Sequence, residues 1–166
     1  MKKIEDVDFP KINFILMDMD GVLTDGTIIY STNGEHIKVF SVYDGYGIER
    51  GHKLGLKFGI ISGRSSEVNV LRAKKLKLEE LYQDINDKVR AYEEIKEKHK
   101  LTAENFAYIG DEVFDLPLLE TVALSAAPAN AVQEVKDAVH YVTKTEGGKG
   151  AVRELVDLIL RKKKLI

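Results

Sequence analysis

The stretch MDMDGVLTDG, Met17 to Gly26, follows the apolar run Ile12-Asn13-Phe14-Ile15-Leu16-Met17 and places two aspartates, Asp18 and Asp20, one residue apart. An apolar run closed by acids and a glycine reads as a buried strand emptying into a polar turn. In an open α/β sheet, ligands gather at the carboxyl ends of the strands, so both carboxylates are expected at a site. Two acids this close repel each other unless a cation or a shared proton intervenes. The pair therefore points to a divalent cation, to a nucleophile and proton-donor couple, or to both.

Outward from this stretch, short apolar runs recur between helical patterns. Thr27–Tyr30 and His36–Phe40 flank Ser31-Thr32-Asn33-Gly34-Glu35, and Asn-Gly between two β-rich runs predicts a hairpin. A helix is expected from about Tyr46 to Leu54, closed by Gly55. Phe58–Ser62 reads as a strand, followed by a helix capped at Ser65 and running to about Lys75. A short strand at Leu81–Gln83 precedes an amphipathic helix over Val89–Lys98. Phe106–Ile109 is a strand ending at Gly110-Asp111, and a helix follows over Leu116–Thr121 with Pro117 in its first turn. Brief strands at Leu124–Ala126 and His140–Val142 bracket a helix near Ala131–Ala138. A last helix, about Ala151–Lys163, follows the loop Gly147-Gly148-Lys149-Gly150, which reads as a flexible connector. Alternating β and α elements predict a parallel sheet covered on both faces, with the early hairpin out of pattern.

The 166 residues carry 44% hydrophobic and 31% charged side chains and a net charge of −2. That is ordinary globular composition, and its charge does not forecast nucleic-acid or membrane-surface binding. With no cysteine, disulfides, thiolate metal sites and cysteine nucleophiles are excluded. No apolar run approaches the roughly 20 residues that a spanning helix needs, and a cytoplasmic location is the expectation. The chain is expected to form one domain over residues 1–166.

Three predicted strands end in reactive polar residues: Asp18 with Asp20, Ser62, and Asp111. Parallel strands share an end, so these groups can converge, and Lys88 at the start of a helix can join them. Carboxylates, a hydroxyl and an ammonium are the inventory of phosphoryl transfer: oxygen ligands for Mg²⁺, a carboxylate nucleophile and donors for phosphate oxygens. The four dispersed histidines and the strand tyrosines Tyr30, Tyr108 and Tyr141 are assigned no chemistry.

Here DMDGVLTDG, ISGR at Ile61–Arg64, Lys88, and GDEVFD at Gly110–Asp115 together resemble the four ordered motifs of haloacid dehalogenase-type phosphatases. The resemblance implies a Rossmann-like three-layer α/β sandwich with a mainly parallel sheet. A small hairpin, about residues 26–42, would stand in place of a cap domain. It also implies roles. Asp18 would be the nucleophile and Asp20 the acid and then the base. Ser62 and Lys88 would hold phosphate oxygens. Mg²⁺ would rest on the Asp18 carboxylate, the Asp20 backbone carbonyl and Asp111, with Asp115 supporting the metal or Lys88.

SVYDGYGIE (Ser41–Glu49), ISGRSSEVNVLRAKKL (Ile61–Leu76) and GGKGAVRE (Gly147–Glu154) resemble the branch of this family that lacks a large cap and acts on sugar-acid phosphates. The implied substrate is 3-deoxy-D-manno-octulosonate 8-phosphate, an intermediate of lipopolysaccharide precursor synthesis, with a related nine-carbon sugar acid as the alternative. Substrate contacts would come from Asp20, Ser41, Val42, Tyr43, Asp44, Gly45, Gly63, Arg64, Arg72 and Lys88. Arginine suits a ligand carrying both a carboxylate and a phosphate. The branch also implies a homotetramer in which a neighbour's hairpin closes the site. Tyr43 and Glu49 stand where arginines are expected in relatives, and Glu112 where a second aspartate is common. A receiver-like phospho-acceptor domain uses a similar set of acids, hydroxyl and lysine and is the competing class.

Overall fold

A computed structural model describes residues 2–34 and 36–166. Fourteen elements carry the architecture. In chain order they are β1 (Phe14–Met17), the hairpin strands β2 (Ile29–Tyr30) and β3 (His36–Ile37), α1 (Val42–Lys53), β4 (Lys57–Ile61) and α2 (Glu67–Leu76). Then come β5 (Glu80–Tyr82), α3 (Lys88–Lys98), β6 (Phe106–Ile109), α4 (Leu116–Thr121), β7 (Leu124–Ala127), α5 (Gln133–Ala138), β8 (Tyr141–Val142) and α6 (Ala151–Lys162).

Six strands form one parallel sheet in the order β5-β4-β1-β6-β7-β8. Phe14, Ile15, Leu16 and Met17 are all buried, as a strand covered on both faces requires. Ile15, Met17, Phe58, Ile60, Ala107 and Ile109 pack on one face against Ile48 of α1, Ala73 of α2 and Val152, Leu155, Val156 and Ile159 of α6. Phe14, Leu16, Phe106 and Tyr108 pack on the other against Ala91, Tyr92 and Ile95 of α3, Leu118 and Leu119 of α4 and Val135 of α5. This is the expected three-layer, Rossmann-like α/β sandwich. The chain steps outward from β1 in one direction through β4 and β5, then returns to its other side through β6, β7 and β8. The carboxyl end of β1 is therefore the switch point where such sheets open a crevice.

The hairpin β2–β3 pairs only Ile29 with Ile37 and Tyr30 with His36; Glu35 of its expected turn lies outside the described residues. Helix α1 begins at Val42, a full turn before the expected Tyr46. Ser41 caps it, accepting from Tyr43 N, and the weak helix former Gly47 is needed for close packing: a Cβ there would sit 2.7 Å from Arg153 Cδ. Ser66, not Ser65, caps α2, because its hydroxyl accepts from Val68 N while its own N–H is held by Gln83 Oε1.

Candidate active site

Asp18 follows β1 directly, and its backbone N–H extends the ladder to Ile109 O at 3.0 Å. The chain then folds tightly: Leu23 and Thr24 N–H both donate to Met19 O, and Thr24 Oγ1 accepts from Gly21 N and Gly26 N. Gly21 has φ +92°, and a Cβ there would lie 2.0 Å from Asp111 Oδ2. Only glycine lets this turn and the Asp111 carboxylate share the space.

The GGKG loop is not a flexible connector. Gly148 N donates to Val22 O, Gly147 N donates to Asn130 Oδ1, and Asn130 Nδ2 donates to Gly21 O. The loop is strapped onto the aspartate turn, and a Cβ at Gly147 would meet Gly21 O at 1.9 Å.

Lys88, the first residue of α3, is buried. Its Nζ lies 3.0 Å from Asp18 Oδ1, 2.6 Å from Asp115 Oδ1 and 2.9 Å from the Tyr108 hydroxyl. Asp115 has no free capacity. Its Oδ1 takes Lys88 and Tyr108, and its Oδ2 accepts from the N–H groups of Asp111 and Glu112. Asp115 thus orients both the lysine and the Asp111 loop.

Carboxylate oxygens of Asp18, Asp111 and Asp115 lie within 4.8 Å of one another. Burial, followed by the charges of Asp18 and Asp115, pushes Asp111 up to about 8. Burial also raises Asp18, to about 6, against the pull of Lys88 and with Asp115 adding to the rise. Among the described residues, Asp111 Oδ1 is buried without a partner. An orphaned carboxylate oxygen beside a second carboxylate, in a set of hard oxygen donors, fits a Mg²⁺-sized cation. Because Asp115 is fully engaged, Asp18 and Asp111 are the side chains left to hold one.

Asp18, Asp20, Ser62, Gly63, Arg64 and Asp111 line one open cleft of about 330 Å³, with Glu112, Phe114, Gly26 and Ile28 completing it. Ser62 is buried, its N–H continues the ladder to Tyr82 O, and its hydroxyl accepts from Arg64 N. The structure thus gathers Asp18, Asp20, Ser62, Gly63, Arg64, Lys88 and Asp111, with Asp115 behind them.

The remaining expected contacts lie elsewhere within the chain. Asp44 is fully buried and accepts from Arg153 N at the start of α6. It caps that helix and does not face the cleft. Arg72 donates to Ser41 O, lies 4.7 Å from the centre of the Phe40 ring, and with Val42 and Gly45 lines a separate groove. Val42 and Tyr43 are exposed.

Four residues assigned no role from sequence belong to the site. Tyr108 completes the Lys88–Asp115 triad, and burial raises its hydroxyl well above the usual tyrosine range. Phe114 places its ring 5.0 Å from Lys88 Nζ. Asn130 ties the GGKG loop to Gly21. Lys38 reaches in from the hairpin to Asp20 Oδ1 at 2.6 Å.

A parallel sheet with this acid, hydroxyl and lysine set at its switch point defines a phosphoryl-transfer class of hydrolase. The model of the haloacid dehalogenase-like hydrolase family matches residues 65–155, and the chain belongs to that family. The receiver-like alternative is thereby set aside. The chain is 41% identical to the 3-deoxy-D-manno-octulosonate 8-phosphate phosphatase KdsC of Escherichia coli K12 over 149 residues, which are 90% of this chain and 79% of the relative. The crystal structure of 3-deoxy-D-manno-octulosonate 8-phosphate phosphatase from Yersinia pestis superposes with a TM-score of 0.93 at 38% identity, covering 97% of this chain and 88% of that one. That of the Moraxella catarrhalis enzyme, in complex with magnesium, phosphate and KDO, superposes with a TM-score of 0.91 at 35% identity, covering 95% and 91%.

Proposed function

We propose that this chain is a Mg²⁺-dependent phosphatase that hydrolyses 3-deoxy-D-manno-octulosonate 8-phosphate to the free sugar acid and phosphate. The carrying observation is the convergence of Asp18, Asp20, Ser62, Lys88 and Asp111 on the carboxyl end of β1, in a chain 41% identical to an enzyme of that name. Asp18 attacks phosphorus as the bond to the sugar oxygen breaks, giving an aspartyl-phosphate. Asp20 gives a proton to the departing oxygen. It then takes one from the water that cleaves the acyl phosphate, so both carboxyl groups are restored. Ser62, the Gly63 N–H and Lys88 hold phosphate oxygens, and Lys88 offsets the charge of Asp18. The Asp18 carboxylate, the Asp20 backbone carbonyl and Asp111 would hold Mg²⁺, which when bound would supply positive charge to the phosphate oxygens.

Arg64, at the mouth of the cleft, meets the sugar-acid portion of the substrate. The whole chain acts as one hydrolase domain, with the hairpin near residues 26–42 as its insertion. Ser41, Val42, Tyr43, Gly45 and Arg72 belong to a segment that completes a neighbour's site in a homotetramer, whereas Asp44 stays with the α6 cap. Exposed Ile29, Ile37, Val39, Val42 and Leu71 support such an assembly, since large apolar patches mark interaction surfaces. Among the described residues no helix is long and apolar enough to cross a membrane, and we place the enzyme in the cytoplasm, at the lipopolysaccharide precursor step.

The test is phosphate release from the eight-carbon sugar acid phosphate, from a nine-carbon analogue and from simple sugar phosphates, with and without Mg²⁺. Preference for the first, lost with EDTA and lost in a folded Asp18→Asn variant, is the expected result. Full activity in that variant removes the mechanism. Preference for another ester removes only the substrate.

A further inference from the structure

We infer that Lys38 is a positioning residue for the proton-transfer step, fixing one oxygen of Asp20 and leaving the other free for the exchange with the cleft. The inference rests on the reading of Asp20 as acid and base given above. Lys38 lies just beyond β3, and its side chain is only 2% exposed, although it comes from a small hairpin on the edge of the fold. Its Nζ is 2.6 Å from Asp20 Oδ1 and 2.9 Å from Asn69 Oδ1. Asn69, fully buried in the first turn of α2, is itself held: its Nδ2 donates to Gln83 Oε1, which also accepts from Ser66 N. A rigid chain of four polar groups therefore runs from the α2 cap to the Asp20 carboxylate.

Burying an ammonium costs several kcal/mol before its partners repay it, and well-packed apolar residues commonly serve stability as well or better. Lys38 is thus an expensive way to seat a hairpin and a direct way to seat a carboxylate. With Oδ1 engaged, Asp20 Oδ2 is left buried and, among the described residues, without a partner, in a side chain that lines the cleft. One oxygen is pinned and the other is free, the arrangement needed for a carboxyl group that must hand over a proton and later accept one. Lys38 also lines a pocket of about 240 Å³ that shares Ile28, Gly63 and Arg64 with the catalytic cleft. The lysine therefore stands beside the cleft that Asp20 lines.

The discriminating measurement is kcat/KM for two esters, because it reports steps only through phosphoryl transfer to Asp18. The octulosonate phosphate has an alkoxide leaving group that needs a proton; p-nitrophenyl phosphate releases an acidic phenol that does not. Lys38→Met is expected to lower kcat/KM by about 10²-fold on the sugar phosphate, at the low end of what general acid catalysis contributes. On p-nitrophenyl phosphate the loss should stay below about threefold, and Lys38→Arg should restore most of the sugar-phosphate rate. Asn69→Ala, which frees the far end of the lysine, should show the same selectivity at about tenfold. Equal losses on both esters, or no loss, overturn the inference, as does unfolding of both Lys38→Met and Asn69→Ala in thermal melts, which makes the lysine structural. Asp20→Asn separates the two levels: if it is selective for the sugar phosphate while Lys38→Met is not, only the role of Lys38 fails; if it too loses both esters equally, the assignment of Asp20 fails and the inference falls with it.

Discussion

Lys88 Nζ stands 2.6 Å from Asp115 Oδ1 and 3.0 Å from Asp18 Oδ1, so one buried ammonium bridges a structural carboxylate and the carboxylate we propose as nucleophile. Asp115 is fully buried and the lysine nearly so, and removing one member of a buried pair leaves its partner's charge uncompensated. Lys88→Met is expected to destabilise the metal-free protein by about 3–5 kcal/mol and to lower kcat by about 10²–10³-fold. Asp115→Asn keeps the shape but loosens the lysine and the Asp111 loop together. Its kcat should fall by about 10–100-fold, as for other groups that orient a metal site from behind. Thermal melts with and without Mg²⁺, alongside steady-state kinetics, check both values.

The same crowding of acids makes the metal-free fold sensitive to pH. Asp111 is raised from 3.8 to about 8 and Asp18 from 3.8 to about 6. Between these limits the folded chain keeps protons that the unfolded chain has released. Stability from these two groups therefore falls as pH rises from about 4 to about 8, and changes little above. Mg²⁺ must displace those protons to bind. Its apparent affinity should climb with pH by up to about tenfold per unit between about 6 and 8, where Asp111 alone releases a proton, and more steeply below about 6, where Asp18 releases a second. Melting in EDTA across this range, and Mg²⁺ titration at each pH, should give opposite slopes. A metal-free protein that gains stability toward pH 8 would contradict the assignment.

The local chemistry of the site was legible because each acid or hydroxyl stands where an apolar run stops. Asp18, Ser62 and Asp111 each follow a strand, and a parallel sheet leaves one end on which they can meet. Tyr108 is assigned no chemistry from sequence because its strand is apolar throughout; only the tertiary approach of α3 brings Lys88 to its hydroxyl. Lys38 and Asn69 were invisible for a related reason. A lysine within the predicted hairpin run His36–Phe40 and an asparagine early in a helix carry no sign of a site, and no period in the sequence reports that the hairpin folds down over α2. The start of α1 was missed because Gly45 and Gly47 lower helix propensity, whereas packing against α6 overrides it. Asp44, taken for a substrate contact, is spent on the α6 cap for the same reason.

The GGKG strap carries its own prediction. Any side chain at Gly147 drives a Cβ to within 1.9 Å of Gly21 O and 2.8 Å of Thr24 O, both backbone atoms of the aspartate turn. Gly147→Ala should therefore push the strap off, costing about 1–3 kcal/mol, and weaken Mg²⁺ binding because Gly21 abuts Asp111. Gly55→Ala is the control. Its φ of +87° is also positive, but open space surrounds it, so a loss of about 1–2 kcal/mol from backbone strain is expected with Mg²⁺ affinity unchanged.

Assembly can be separated from chemistry because Asp18, Asp20, Ser62, Lys88 and Asp111 all come from one chain. Leu71 on α2 and Val42 at the start of α1 are 68% and 78% exposed, beside the groove lined by Arg72, Val42 and Gly45. A glutamate in the middle of an apolar contact is buried without a partner when the chains associate, a penalty of several kcal/mol. Leu71→Glu and Val42→Glu should each yield a monomer in sedimentation analysis while the isolated fold melts within about 0.5 kcal/mol of the parent, as surface substitutions do. Hydrolysis of p-nitrophenyl phosphate should persist in the monomer, since its phosphate needs only the one-chain cleft. Hydrolysis of the sugar-acid phosphate should fall at least tenfold, because Ser41, Val42, Tyr43, Gly45 and Arg72, which we propose complete a neighbour's site, can no longer do so. Tetramers that survive both substitutions, or monomers that keep full activity on the sugar acid, would place those residues outside the site altogether.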